Sequence, residues 1–114
     1  MKKLSKKQNK HLRNLAGEAY ERELSFHLDD LRKKFDEWKI GQINVWELSD
    51  LIHKFHDGKS RDLYKFYVYG RDYPYQVAYA VQNDYISMED VEESCREHVQ
   101  YLIDNLFHKE EDEE

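Results

Sequence analysis

One cysteine, one proline and four glycines in 114 residues leave the chain almost without staples, breakers or hinges. The lone Cys95 has no partner for an internal disulfide. Secreted domains of this size usually carry several disulfides, so a reducing compartment, the cytoplasm, is expected. No stretch approaches the ~18 apolar residues of a membrane span, and the basic start MKKLSKKQNKHLR has no apolar run behind it, which excludes a secretory leader as the reading of this segment. Aliphatic residues are also scarce, since hydrophobic residues make up 39% of the chain against 37% charged. Nine Tyr, five Phe and two Trp must therefore help to fill the single core that a chain of this length supports, each ring burying roughly 150–250 Å².

With so little punctuation, helical periodicity dominates. From Ser5 to about Lys39 the positions Leu12, Ala16, Ala19 or Tyr20, Leu24, Leu28, Leu31, Phe35 and Trp38 recur at steps of three and four, the stripe of one long helix. Gly17 inside it costs ~1 kcal/mol relative to alanine and marks a place for a kink. Asn44 with Glu47 forms a capping box for a second helix, stapled by Ile43 and Leu48 and ended by Gly58. Leu63, Tyr64 and Tyr67 suggest a short third helix from about Ser60. Pro74 suits the first turn of a fourth, through Val77, Ala78 and Val81. Ser87 with Asp90 repeats the capping grammar for a last helix from Met88 to about Phe107, on the stripe Met88, Val91, Cys95, Val99, Leu102 and Leu106. The expectation is an all-α fold: one domain over residues 1–114, a compact bundle of about five helices with a long N-terminal helix. Residues 1–8 (basic) and 109–114 (acidic) are expected to fray.

Net charge is −6, which argues against general affinity for nucleic acid, although Lys2, Lys3, Lys6, Lys7, Lys10 and Arg13 oppose the wholly acidic run Glu110 to Glu114. Residues 36–47 have the outline of a calcium-binding EF-hand loop, with Asp36 first, Gly41 sixth and Glu47 twelfth. Trp38 and Ile40 stand where that loop needs oxygen ligands, so no metal is assigned, and no cofactor.

Three constellations could carry function. On the second helix, Trp46, Asp50, His53 and Asp57 fall together opposite the apolar stripe, with His56 close by; two carboxylates flanking an imidazole favour its protonated form. In the Tyr-rich third of the chain, Tyr64, Tyr69, Arg71, Tyr73 and Tyr75 interleave rings with cations, as in surfaces that anchor a protein partner. The competing reading makes these rings core. Arg22 and His27, five residues apart, resemble the R-x4-H signature of the HEPN superfamily of helical ribonucleases. That resemblance implies an arginine on the phosphate and a histidine in proton transfer, across a dimer of helices.

Neither a phosphate-cradling glycine loop nor a nucleophile triad is present. The leading expectation is a non-catalytic helical interaction or regulatory module presenting Trp46, Tyr64, Tyr69, Arg71, Tyr73 and Tyr75. The alternative is a small ribonuclease or hydrolase using Arg22 with His27, or Asp50 with His53. A first helix of this length spans about 50 Å, too long for its neighbours to cover. Its Leu24–Trp38 half is expected beneath the other helices. Its Leu12, Leu15, Ala16 and Tyr20 are expected to form a homodimer or partner contact through residues 8–24.

Overall fold

The computed structural model describes residues 3–107; the acidic end, 109–114, expected to fray, and Met1 and Lys2 lie outside the described residues. Ser5 accepts the Gln8 backbone N–H while the Gln8 side chain accepts that of Ser5, so two of the four orphan donors of a helix start are satisfied at once. Helix α1 follows as Lys6–Lys39 without interruption at Gly17. The basic head, expected to fray as far as residue 8, is thus helical from Lys6, and Leu4 packs against the core.

Gly41, at φ 81°, ends the turn after α1, where Gln42 N–H donates to Glu37 O. The Asn44/Glu47 capping box then opens α2. It runs as Val45–Phe55, widens into a π-helical turn at His56–Ser60, tightens at Arg61–Tyr64 and widens again at Lys65–Tyr69. Gly58 does not stop it. A glycine ends a helix by adopting positive φ, and among the described glycines Gly41 alone does so. The second and third helices of the sequence reading are one run, 45–69.

Asp72 accepts the Tyr75 N–H and Pro74 occupies the first turn of α3, Tyr73–Gln82. Ser87 and Asp90 form their capping box, but what they cap is a single 3-10 turn, Met88–Asp90. Val91, at φ −82° and ψ 127°, is extended and breaks the helix there. The last helix, α4, starts at Glu93 and runs through Glu93–Leu102 into a π-helical turn, Ile103–Phe107. Its start is held by side chains: His11 Nε2 of α1 accepts the Glu92 N–H, and Arg96 of α4 itself donates to the carbonyls of Val91 and Glu89.

Four helices and a 3-10 turn therefore make an all-α fold among the described residues. The core joins Leu12, Leu15, Ala16 and Ala19 of α1, Leu63 and Tyr67 of α2, Val77, Ala78 and Ala80 of α3, and Val91, Cys95, Val99 and Ile103 on the way into and along α4. Ile103, not Leu106, completes the last stripe: steps of four carry Val91, Cys95, Val99 and Ile103 along one buried line, while Leu106 is exposed. Alanines on both α1 and α3 let these helices approach closely, as small residues at a helix crossing do.

This corrects the expectation for α1. All of its buried residues, Leu12, Leu15, Ala16, Ala19 and Glu23, lie in its first half. The segment 8–24 is the centre of the domain's own core and supplies no free apolar face. The other half is covered on one side only, by the start of α2, and leaves Phe26, Leu28, Phe35 and Trp38 exposed. The radius of gyration, 17.5 Å, is correspondingly larger than the ~13 Å of a spherical domain of this size, and the long dimension of 56 Å matches the length of α1.

Candidate functional site

The far half of α1 and the first part of α2 form a helical hairpin closed by the turn at Gly41. Between them Leu48 is buried, with Leu24, Leu31, Leu51 and Phe55 half-buried. At 100° per residue the two flanks of this seam differ. One flank carries His27, Asp30, Lys34 and Lys54 around a shallow hollow. The other carries Leu28 and Phe35 from α1 together with Val45 and Ile52 from α2, exposed by 46%, 40%, 50% and 37%. Antiparallel helices place these four residues on the same side, because positions displaced in the same rotational sense from each helix's contact line converge.

That apolar side is bordered on α1 by an ion-pair chain. Arg32 donates to Asp29 at 2.8 Å and to Asp36 at 2.7 Å, and Lys33 lies 3.8 Å from Asp29. The Arg32 guanidinium beside Asp29 holds that carboxyl below the usual carboxylate range. The chain is exposed and adds little to stability, but it keeps the border polar and nearly neutral.

The residues singled out from sequence are distributed as follows. Trp46 is the most exposed large hydrophobic residue described, at 77%, and stands with Asp50, His53 and Asp57 on the outward face of α2, as the helical spacing requires. The carboxylates do not gather on His53: Asp50 pairs with Lys54 at 2.9 Å, and Asp57 lies 3.2 Å from His56. Among the described residues no group of three His, Cys, Asp or Glu side chains is placed to hold a metal ion. Asp36 is taken by Arg32 and Glu47 by its capping box, which accounts for the EF-hand outline without a ligand role.

Arg22 and His27 are not brought together. Five helical steps set them about 140° apart, and they line different hollows. Arg22 donates to the Tyr85 carbonyl at 3.0 Å beside Asp84, Ser87 and Asp90, whereas His27 packs edge-on against Phe26 and faces α2.

The Tyr-rich segment divides. Tyr67 is buried, and Tyr73, Tyr75, Tyr79 and Tyr85 are half-buried, so most of these rings complete the core. Tyr64 and Tyr69 remain exposed and meet edge-to-face at 5.2 Å, and repulsion from the Tyr69 phenolate, then the hydrogen bond with it, push the Tyr64 hydroxyl pKa up. Trp46 is at the opposite end of α2 from them, about 27 Å along the axis from Tyr64 and farther from Tyr69. The expected partner-binding residues therefore belong to two separate surfaces.

Sequence reasoning missed Glu23 and Gln76, each almost wholly buried. Glu23 accepts hydrogen bonds from Tyr67 Oη at 2.8 Å and Tyr79 Oη at 2.9 Å, one to each carboxylate oxygen. The signal was present, since Glu23 follows Ala19 by one turn on the stripe that holds Leu12 and Ala16. Gln76 stands in an otherwise apolar run, and its position in α3 is set by its amide donating to Phe66 O.

Comparison with known proteins gives no matching family model, no matching curated protein and no matching solved structure.

Proposed function

We propose that the chain is a helical interaction module that self-associates through the apolar side of the α1/α2 hairpin. The observation that carries this reading is the convergence of Leu28, Phe35, Val45 and Ile52 on one flank of a two-helix seam with Leu48 as its buried residue. Two helices alone cannot enclose an apolar stripe; two hairpins can, by forming a four-helix bundle around it. A second copy fits this side because the border is already charge-balanced within each chain by Asp29, Arg32, Lys33 and Asp36. Identical copies would thus meet without like-charge repulsion although the whole chain is acidic. Apolar centre and polar rim is the anatomy of protein interfaces in general.

Sedimentation equilibrium at tens of micromolar tests this. The parent chain is expected at dimer mass, and Phe35→Glu and Ile52→Lys at monomer mass with unchanged helical circular dichroism, since both positions are exposed. A monomeric parent chain, or dimers that survive both substitutions, would overturn the reading.

A further inference from the structure

Away from the hairpin, the junction of α1 with the α2–α3 elbow encloses an open hollow of about 500 Å³, within the usual range for small-molecule sites. Its charged lining residues are Arg13 and Arg71; no aspartate or glutamate lines it, in a chain whose net charge is −6. Neither arginine takes part in a salt bridge among the described residues. Arg22, Arg32 and Arg96, by contrast, are engaged by backbone carbonyls or carboxylates of the fold. Arg71 is held there at φ 52°, a conformation that costs a non-glycine residue energy.

The wall is aromatic. Tyr20 and Tyr67 stack with centroids 5.0 Å apart and planes within 13°, and Tyr73 completes the side. Gly17 leaves open space where a side chain would stand, since a Cβ built there meets nothing within 4 Å.

Gln76 closes the inner side of the hollow. Gln76 is 1% exposed, and its Nε2 donates to Phe66 O at 2.9 Å. A carbonyl can only accept, so the amide orientation is fixed and Oε1 is the end left over. Oε1 has no hydrogen-bond partner, which for a buried polar atom is uncommon. Oε1 is itself enclosed, so Gln76 shapes the inner wall of the hollow and offers no acceptor to a ligand.

Two guanidinium groups for an anion and stacked rings for a planar group together describe one ligand chemistry. We propose that this hollow binds a nucleoside monophosphate, with Arg13 and Arg71 on the phosphate and the base extending the Tyr20–Tyr67 stack. Arginine is suited to phosphate and tyrosine to base stacking irrespective of the acidity of the remaining surface. The site is independent of the hairpin and of self-association.

Titration calorimetry of the full chain at low salt, with adenosine 5′-monophosphate as probe, tests it. Saturable binding at one site per chain is expected, weakened about tenfold or more by Arg13→Gln and by Arg71→Gln. Arg61→Gln, an exposed arginine of α2 outside the hollow, should bind as the parent does. Gly17→Leu should fill the hollow and abolish binding while leaving the chain folded. Adenosine and inorganic phosphate, each with half of the recognised chemistry, should both bind more weakly than the nucleotide. Absence of saturable binding, binding indifferent to both arginine substitutions, or inorganic phosphate binding as tightly as the nucleotide would overturn the proposal.

Discussion

Glu23 and Tyr67 are joined by a 2.8 Å hydrogen bond in the core, where α1 meets the end of α2, and Tyr79 of α3 donates to the other carboxylate oxygen at 2.9 Å. One acid thereby ties three helices together. Its two ring partners, with Tyr20, Phe66 and Tyr85 around them, show why so many tyrosines sit in one third of the sequence. They supply apolar area, and their hydroxyls supply the donors that a buried carboxylate demands.

Removing the acid strands both hydroxyls. Glu23→Ala should destabilise the fold by about 3 kcal/mol, from lost hydrogen bonds to a charged group and two phenols, Tyr67 buried and Tyr79 half-buried, left without an acceptor. Tyr67→Phe, which leaves Tyr79 in place, should cost about 1–3 kcal/mol. In a urea denaturation series the double substitution Glu23→Ala with Tyr67→Phe should cost less than the sum of the singles, because the second change removes a group the first had orphaned. Strict additivity would show that the bond contributes nothing to the folded state.

The same cluster sets an alkaline limit. Burial, and then the hydrogen bond to Glu23, push the Tyr67 hydroxyl well above the ordinary tyrosine range, and Tyr79 moves in the same direction for the same causes. The folded chain keeps protons that the unfolded chain releases above about pH 10. The unfolded state then binds fewer protons, so stability is fully present below that pH and falls above it, by about 1.4 kcal/mol per pH unit from Tyr67. Denaturant midpoints measured from pH 8 to 11 should be flat and then drop, with a shallower drop in Tyr67→Phe. A midpoint that stays level to pH 11 would contradict the buried, protonated state of this ring.

The helix caps were the most legible part of the sequence, because a capping box is a local contract between residues three apart: Asn44 with Glu47 and Ser87 with Asp90 both form. What Ser87 begins was not legible, since the extended Val91 that stops the turn depends on its burial in the core. The stripe of α1 was equally clear, but periodicity identifies a face and not what covers it. Leu28, Phe35 and Trp38 look like core by residue type, yet the other helices pack on the smaller Ala16 and Ala19, where the axes can approach. Pro74 marked where α3 begins, but the angle at which α2 and α3 meet, on which Gln76 and the Arg13–Arg71 hollow depend, is set by packing that no local pattern encodes.

Cys95 offers a chemical readout of the fold. It is fully buried on the inner line of α4, and burial raises its thiol pKa, so the native thiolate is both scarce and shielded. Alkylation by iodoacetamide at pH 8 should be slow in the native chain and rise with urea along the unfolding curve. Rapid labelling in the absence of denaturant would mean that α4 opens independently of the rest.

Two glycines should respond to alanine with opposite signs. Gly17 lies mid-helix in α1 with open space at its Cβ position, so Gly17→Ala relieves the entropy cost of glycine and should stabilise by about 1 kcal/mol. Gly70 ends α2 at ordinary helical angles, φ −61° and ψ −42°, so no backbone strain calls for glycine there. The demand is steric: an added Cβ would stand 2.6 Å from Phe66 O and 3.2 Å from Gln76 Nε2. These two atoms are bonded to each other, and the bond anchors the buried Gln76, so neither can withdraw without loosening the elbow between α2 and α3. Gly70→Ala should therefore destabilise by about 1–3 kcal/mol, the usual cost of overpacking a filled site. Thermal melts of the two variants beside the parent chain should bracket it, Gly17→Ala above and Gly70→Ala below. A Gly70→Ala chain as stable as the parent would show that the elbow is not the close-packed joint described, and that Gln76 is held by something other than Phe66.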